Sequence, residues 1–480
     1  MTIDDGSGKR VPAHPARARP AAHELARYES LFAARTQGMR SSAMRDMMSL
    51  TERPEVISLA GGLPDTKTFA PELYAKLMSH VAAEQTAKAL QYGPTEGLAV
   101  TVQCIVEVMA AEQTLVDPDE VLVTTGGQQV IDLVCKALLD PGDVIVAEAP
   151  TYPGAVPTFG AYQADVVQIE MDSDGMPIDE LEATLDRLQS EGRRPKFIYT
   201  IPNFQNPGGV TMSLPRRRRL VEVAREREIL VLEDNPYGLL RYEGDPLPTL
   251  YSLDAALAGR GGASDFVIYL GTFSKILSPG VRLGWAVAPV PVLEKLNLGK
   301  QGADLCSSPV TQLFVAAYFG EHDWRGYLET LKKLYRGRRD TMLGALGDHF
   351  GPDARWTRPQ GGMFVWATLP DYIDTTDLLA RALETEAVAF VPGRSAYVDG
   401  RGASSMRLNF AGVAEEDIVE GIERIGRVIA EQVGLFGTLT GGKPRPTESE
   451  APSDAAEAEP MADVVQLPRR EQRESKQRSR

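Results

Sequence analysis

The chain has 480 residues, of which 43% are hydrophobic and 24% charged, with a formal net charge of −15. This is a globular composition with room for about two or three structural units, and the acidic balance argues against nucleic acid as a partner. Cys104, Cys135 and Cys306 form no CxxC pair or disulfide framework, the five histidines show no metal-ligand spacing, and no apolar run approaches the ~18 residues of a membrane span.

Residues 1–23 are rich in Ala, Pro and Arg without periodicity and read as a disordered arm. They lack the apolar core of a signal peptide, and the scattered cysteines fit a reducing cytoplasm best. The stretch from His23 to Leu50 has helical composition, and residues 24–60 are expected to pack with a small C-terminal domain. From 61 to 319 strands and helices alternate. EVLVTTG is a short apolar run, and QQVIDLVCKALL follows with Val130, Leu133, Val134, Ala137 and Leu138 on one helical face. VIVAEAP, KFIYTIP, LVLEDNP and FVIYLGT are further apolar strands. LPRRRRLVEVAREREI is a helix whose Arg216–Arg219 run reads as a solvated face. Apolar strands bounded by helices predict a mostly parallel sheet covered on both faces. From 320 to 436 long helical stretches lead to the shorter strands of WTRPQGGMFVWATLP, EAVAFVPG and SSMRLNFAG, a smaller α+β domain. Residues 437–480, an acidic block and then a basic one, read as a disordered tail.

The chemistry concentrates where strands end. Lys275 and Arg282 are the only charged side chains between Val267 and Pro289. A lysine among apolar groups is pushed toward its neutral, nucleophilic form, which makes Schiff bases; a buried stem with a solvated head is the alternative. Asp234 ends the strand of LEDNPYG, where open α/β sheets bind ligands, and it can keep a ring nitrogen protonated or simply form a turn. Asn206, in IPNFQNPGG, precedes a proline and is biased to extended backbone; its amide can donate to a phenolate oxygen. TTGGQQ is a strand, two glycines and a helix start, suited to a phosphate; neither GxxxxGK[ST] nor GxGxxG spacing is present. Tyr152, just past a strand, can stack on a flat ring or pack in a core. Arg282 suits a phosphate dianion, and Arg407, within an apolar strand, suits a bidentate grip on a carboxylate. Taken together these groups complement pyridoxal 5′-phosphate (PLP).

Eight motifs, ISLAGGLPDTKTFA, ALQYGPTEGL, VTTGGQQ, PTYPGA, YTIPNFQNPGG, LEDNPYG, TFSKILSPGVRLGW and MRLNF, occur in one order. In this the chain resembles the fold-type I PLP-dependent class I/II aminotransferases, from about Ala43 to Phe436, and most of all their 2-aminoadipate and kynurenine branch. The resemblance implies a large PLP-binding domain with a mostly parallel seven-stranded sheet between helices, plus the smaller α+β domain. It implies Lys275, Asp234 and Tyr152 as the catalytic set: Lys275 the Schiff-base lysine and general base, Asp234 holding the pyridine nitrogen protonated, Tyr152 stacked on the ring. Asn206 and Tyr237 would bond the ring hydroxyl. Gly127, Gln128, Thr272, Ser274 and Arg282 would take the phosphate, joined by Tyr92 from the other subunit of a homodimer with shared active sites. Arg407, near the Gly62 backbone and with Asn206, would hold the substrate α-carboxylate, and Arg45 matches an arginine that can meet a distal carboxylate. Two departures stand out: Gly127 where relatives often carry serine, and NPGG for the common NPTG.

The expected activity moves an amino group from an L-amino acid (2-aminoadipate, aromatic or branched-chain) to a 2-oxo acid, 2-oxoglutarate for preference, in a ping-pong cycle. A β-lyase or decarboxylase shares Lys275 and Asp234 and stays open on the motifs alone. A transcription regulator needs a DNA-binding module ahead of Ala43, where the composition reads as disordered and helical in turn. A PLP-free scaffold is disfavoured because every cofactor-contacting position carries a suitable residue.

Overall fold

The computed structural model describes residues 2–4, 10–12, 28–39, 53–259 and 263–440. Arg45, most of the arm and residues 441–480 lie outside them. β1 (Thr2–Asp4) and β2 (Arg10–Pro12) pair as an antiparallel hairpin, Ile3 in register with Val11. The last helix runs on to Thr440 instead of stopping before Gly437, since no proline interrupts GLFGTLT.

After the short β3 (Ile57–Ser58), the strands β4 (Val121–Thr124), β5 (Val144–Ala149), β6 (Asp165–Glu170), β7 (Phe197–Thr200), β8 (Leu230–Asp234), β9 (Val267–Thr272) and β10 (Gly284–Val287) form one sheet. Their spatial order is β4-β10-β9-β8-β7-β5-β6. β10 is antiparallel to both neighbours and the other pairings are parallel. Every residue of β4, β5, β7, β9 and β10 is buried, as expected of strands covered on both faces. The helix α1 (Gly127–Leu138) buries Val130, Leu133 and Val134 of the predicted face, with Ile131 and Cys135 beside them, while Ala137 is exposed and Leu138 half-buried near the helix end.

Two more helices refine the reading. α2 (Val156–Ala161) is packed against Ala34–Gly38. Part of the N-terminal segment therefore lies on the large domain, not with the small one; Arg35 comes close enough to Tyr162 for their charges to interact. In α3 (Leu214–Arg227) the arginine run is not uniformly solvated. Arg217 is fully buried and donates to the carbonyls of Met212, Pro202 and Pro248 and to Asn203 Oδ1 at 2.7–3.0 Å. A guanidinium has five donors in a fixed fork, so four acceptors can hold one inside a protein.

The remaining elements build the smaller domain. α4 (Trp324–His349) and α5 (Glu415–Thr440) pack on each other. β11 (Arg355–Trp356), β12 (Phe364–Thr368), β14 (Val391–Pro392) and β15 (Ser405–Asn409) form an antiparallel sheet ordered β11-β12-β15-β14, while β13 (Val388–Ala389) pairs with β3.

Residues 59–65 form a strap between the two domains. Asn409 N–H donates to Leu59 O (2.8 Å), Arg407 Nη2 to Ala60 O (2.7 Å) and Lys275 Nζ to Gly62 O (2.6 Å). At its end Asp65 is buried against Arg338 of α4, 2.6 Å from Nη2. Removing one member of a buried pair leaves the other charge uncompensated. Arg338→Met should therefore lose about 3–5 kcal/mol of stability, read as a lowered midpoint in chemical denaturation; an unchanged midpoint would show that Asp65 is solvated.

Candidate active site

Parallel strands end at one edge of a sheet, and that edge gathers the site. β4 runs into Gly126 and α1, β5 toward Tyr152, β7 toward Asn206, and β9 into Ser274 and Lys275; β8 ends on Asp234. β10 is reversed, so the residues preceding it, Arg282 among them, arrive at the same edge from the opposite direction. Between them lies a cavity of about 190 Å³. Lys275, Asp234, Tyr152, Gly127, Gln128, Asn206, Tyr237, Thr272, Ser274, Arg282, Arg407 and Gly62 all line it. Tyr92 does not; it is 79% exposed on the surface of this chain.

Lys275 and Asp234 share the cavity, and no ion pair joins them. The Lys275 amine donates to Gly62 O and has no carboxylate partner among the described residues. Burial, reinforced by the positive charges of Arg407 and Arg282, lowers its pKa from 10.5 to about 8. Burial raises the Asp234 carboxyl from 3.8 to about 7; the Tyr199 hydroxyl, donating to Oδ2 at 2.6 Å, opposes that rise and the charge of Glu148 adds to it. A ligand bearing a basic ring nitrogen would bring Asp234 the positive partner it lacks.

Arg407 is fully buried, stacked 4.4 Å from the Phe364 ring centroid and donating to Asn206 Oδ1 at 3.0 Å. Burial lowers its pKa to about 10, still well above neutrality. The Asn206 amide in turn donates toward the Tyr237 phenol, whose pKa burial pushes far up. Arg282 is exposed at the mouth and, among the described residues, makes long contacts to Thr125 O and Pro279 O (3.5 and 3.4 Å). It lies over Gly126, which has φ +82° and where a Cβ would sit 2.6 Å from Nη2. α1 starts beside it without a side-chain cap, so its first N–H groups lack partners in the helix. Gln128 spends its side-chain amide on Gly154 O and Thr158 Oγ1, leaving its backbone N–H for an anion. The Thr272 and Ser274 hydroxyls are bonded to each other at 2.9 Å. At Gly127 a Cβ would meet the end of the Leu270 side chain, Cδ2, at 2.9 Å. Guanidinium, free N–H groups and hydroxyls make a donor set for a phosphate.

Several residues of the site escaped sequence reasoning. Tyr199 supports Asp234, and Phe364 lies under Arg407. Glu148 accepts from Ile201 N–H, the Thr200 hydroxyl and Gln205 Nε2, and Gln205 bonds Pro150 O and Gly208 N–H, tying the Tyr152 loop to the Asn206 loop. The phenol in the apolar strand KFIYTIP is the signal for Tyr199, because buried phenols seek a partner.

A family model of the class I and II aminotransferases matches residues 54–425. The chain belongs to that family. This aminotransferase is 42% identical to aromatic-amino-acid aminotransferase 1 of Thermococcus litoralis over 85% of its own length and 95% of the relative's. It is 41% identical to the 2-aminoadipate transaminase of Thermus thermophilus over 83% of its length and 96% of the relative's. Among solved structures, a Pyrococcus horikoshii kynurenine aminotransferase superposes with a TM-score of 0.79 at 39% identity, covering 85% of this chain and 99% of that one. An alpha-aminoadipate aminotransferase of Thermus thermophilus, complexed with N-(5′-phosphopyridoxyl)-L-leucine, gives 0.78 at 38% identity, with the same coverage of both chains. The resemblance carried by the eight motifs thus holds for fold type I, for the family branch and for the activity class. Among the described residues no helix is long and apolar enough to cross a membrane, and no group of His, Cys, Asp or Glu is arranged for a metal.

In the ligand-free protein, acylation of Lys275 by an amine-directed reagent should rise with pH and level off above about 8, because only the neutral amine reacts. A rate still climbing near the ordinary lysine value of about 10.4 would mean a solvated ammonium.

Proposed function

We propose that this aminotransferase binds PLP in the cavity and moves an amino group from an L-amino acid to a 2-oxo acid, 2-oxoglutarate, in two half-reactions that share one site. The observation that carries the reading is the amine of Lys275, bonded to a carbonyl instead of a carboxylate and held near pKa 8 in the same cavity as Asp234 and Arg407. When bound, PLP supplies an aldehyde for amines and a ring that absorbs negative charge. The remaining work falls to the chain. Asp234 keeps a proton on the ring nitrogen, Tyr152 stacks on the ring, and Asn206 and Tyr237 donate to its oxygen. The N–H groups of Gly127 and Gln128, the hydroxyls of Thr272 and Ser274, and Arg282 take the phosphate. Arg407 fixes the substrate α-carboxylate beside Gly62, with Asn206 orienting the guanidinium. The Lys275 amine would serve as the general base that takes the proton from the substrate α-carbon.

The exposure of Tyr92 supports a homodimer in which it reaches the phosphate of the partner's site. The three free cysteines agree with a reducing, cytoplasmic setting. Donors of the aromatic, 2-aminoadipate and branched-chain classes are proposed, after the relatives' named substrates, and Arg45 is proposed to meet an acidic side chain.

The visible spectrum tests the reading. A yellow band that bleaches with one amino acid and returns with 2-oxoglutarate is expected; release of pyruvate and ammonia without an acceptor would indicate a lyase, and a protein that stays colourless with added PLP would overturn the reading. Lys275→Ala should abolish turnover while the dimer persists in sedimentation. Arg45→Ala should raise KM for 2-aminoadipate and leave KM for phenylalanine unchanged; equal effects on both donors would remove Arg45 from substrate choice.

A further inference from the structure

We propose that Tyr199 is a positioning residue for Asp234: its phenol keeps the carboxylate ionised and aimed, so that the proton they contest stays on the cofactor's ring nitrogen. This rests on the PLP reading above.

Tyr199 is in β7, directly beside β8, whose last residue is Asp234. Its side chain is fully buried and its ring meets Phe159 edge-on at 5.4 Å. The hydroxyl has one partner among the described residues, Asp234 Oδ2 at 2.6 Å, and Asp234 has no other donor there. One oxygen of the carboxylate is therefore occupied from beneath and the other is left for the cavity. The other groups around Asp234 do not substitute. Glu148, on β5, opposes its ionisation. Tyr152 and Tyr237 interact with it electrostatically and make no hydrogen bond to it. Lys275 is turned to Gly62 O, and Arg282 is at the mouth.

A carboxylate facing a ring nitrogen has two ways to hold one proton: carboxylate with pyridinium, or carboxylic acid with neutral pyridine. The totals of charge and protons are the same, and only the proton's position differs. Burial favours the neutral pair. A hydroxyl donating to the carboxylate favours the ionic pair, and a hydrogen bond to a charged acceptor is among the stronger kinds. Tyr199 thus biases the proton toward the ring, where it is needed to withdraw electrons.

The test is 15N NMR of wild type and Tyr199→Phe, each loaded with PLP labelled at the ring nitrogen. The wild-type resonance should lie at the pyridinium position and that of Tyr199→Phe should move toward neutral pyridine. In parallel, kcat should fall about 10- to 100-fold, with KM for the amino acid nearly unchanged because Arg407 and Asn206 do not touch Tyr199. Should the phenylalanine variant not fold, Tyr199→4-fluorophenylalanine fills the space without a donor and reads the same shift. Tyr199→4-aminophenylalanine, which restores an N–H, should return the resonance toward wild type. The nitrogen position decides. Pyridinium in wild type and variant alike overturns this inference alone. A wild type that takes up no PLP, or holds it with a neutral nitrogen, overturns both this inference and the reading beneath it.

Discussion

Lys275 and Asp234 are buried in one cavity, and the fold keeps them from pairing with each other. Charges in such a place are costly unless neutralised or compensated. Here the compensation is mild and comes mostly from neutral dipoles: a backbone carbonyl for the amine, a phenol for the carboxylate. Both groups consequently sit nearer neutrality than they would in water. Had the amine met the carboxylate, each would be locked in its charged form, and neither could act on a ligand.

The topology delivers this arrangement. Parallel strands end together, so β4, β5, β7, β8 and β9 each contribute to one edge without long excursions. The reversed β10 supplies Arg282 from the far side. The small domain contributes Arg407 from β15 and Phe364 from β12, which are neighbours in one sheet. The strap from Leu59 to Asp65 joins the halves by offering carbonyls to Arg407 and Lys275 and a carboxylate to Arg338, away from the cavity. Carbonyls satisfy a cation's donors without cancelling its charge, so the field that attracts anionic ligands survives.

What the sequence disclosed follows the same division. Residues at strand ends were legible because a polar group after an apolar run has few other reasons to be there: Asp234, Asn206, Lys275 and the Thr-Gly-Gly turn are of this kind. Support from within strands was not. Tyr199 looks like any aromatic in a buried strand, and Glu148 is one acid in VIVAEAP; their meaning depends on which strand lies alongside, and β5, β7 and β8 are adjacent only in space. Arg217 misled for a related reason. Four consecutive arginines look alike in sequence, yet one turn of helix points Arg217 inward to backbone carbonyls and Arg216 and Arg219 outward to Asp172 and Glu182.

Asn206 illustrates why residue type matters more here than polarity. It accepts from Arg407 with one atom and donates toward Tyr237 with another, and a side-chain amide is the short group that can do both at once. Aspartate at this position would accept from Arg407 but would neutralise it and repel an incoming carboxylate. It would also lose the donor that faces Tyr237. Serine would be too short to span the two partners. An uncharged, two-faced side chain therefore lets Arg407 be held in position while its positive charge stays available, the same solution that the strap carbonyls provide for Lys275.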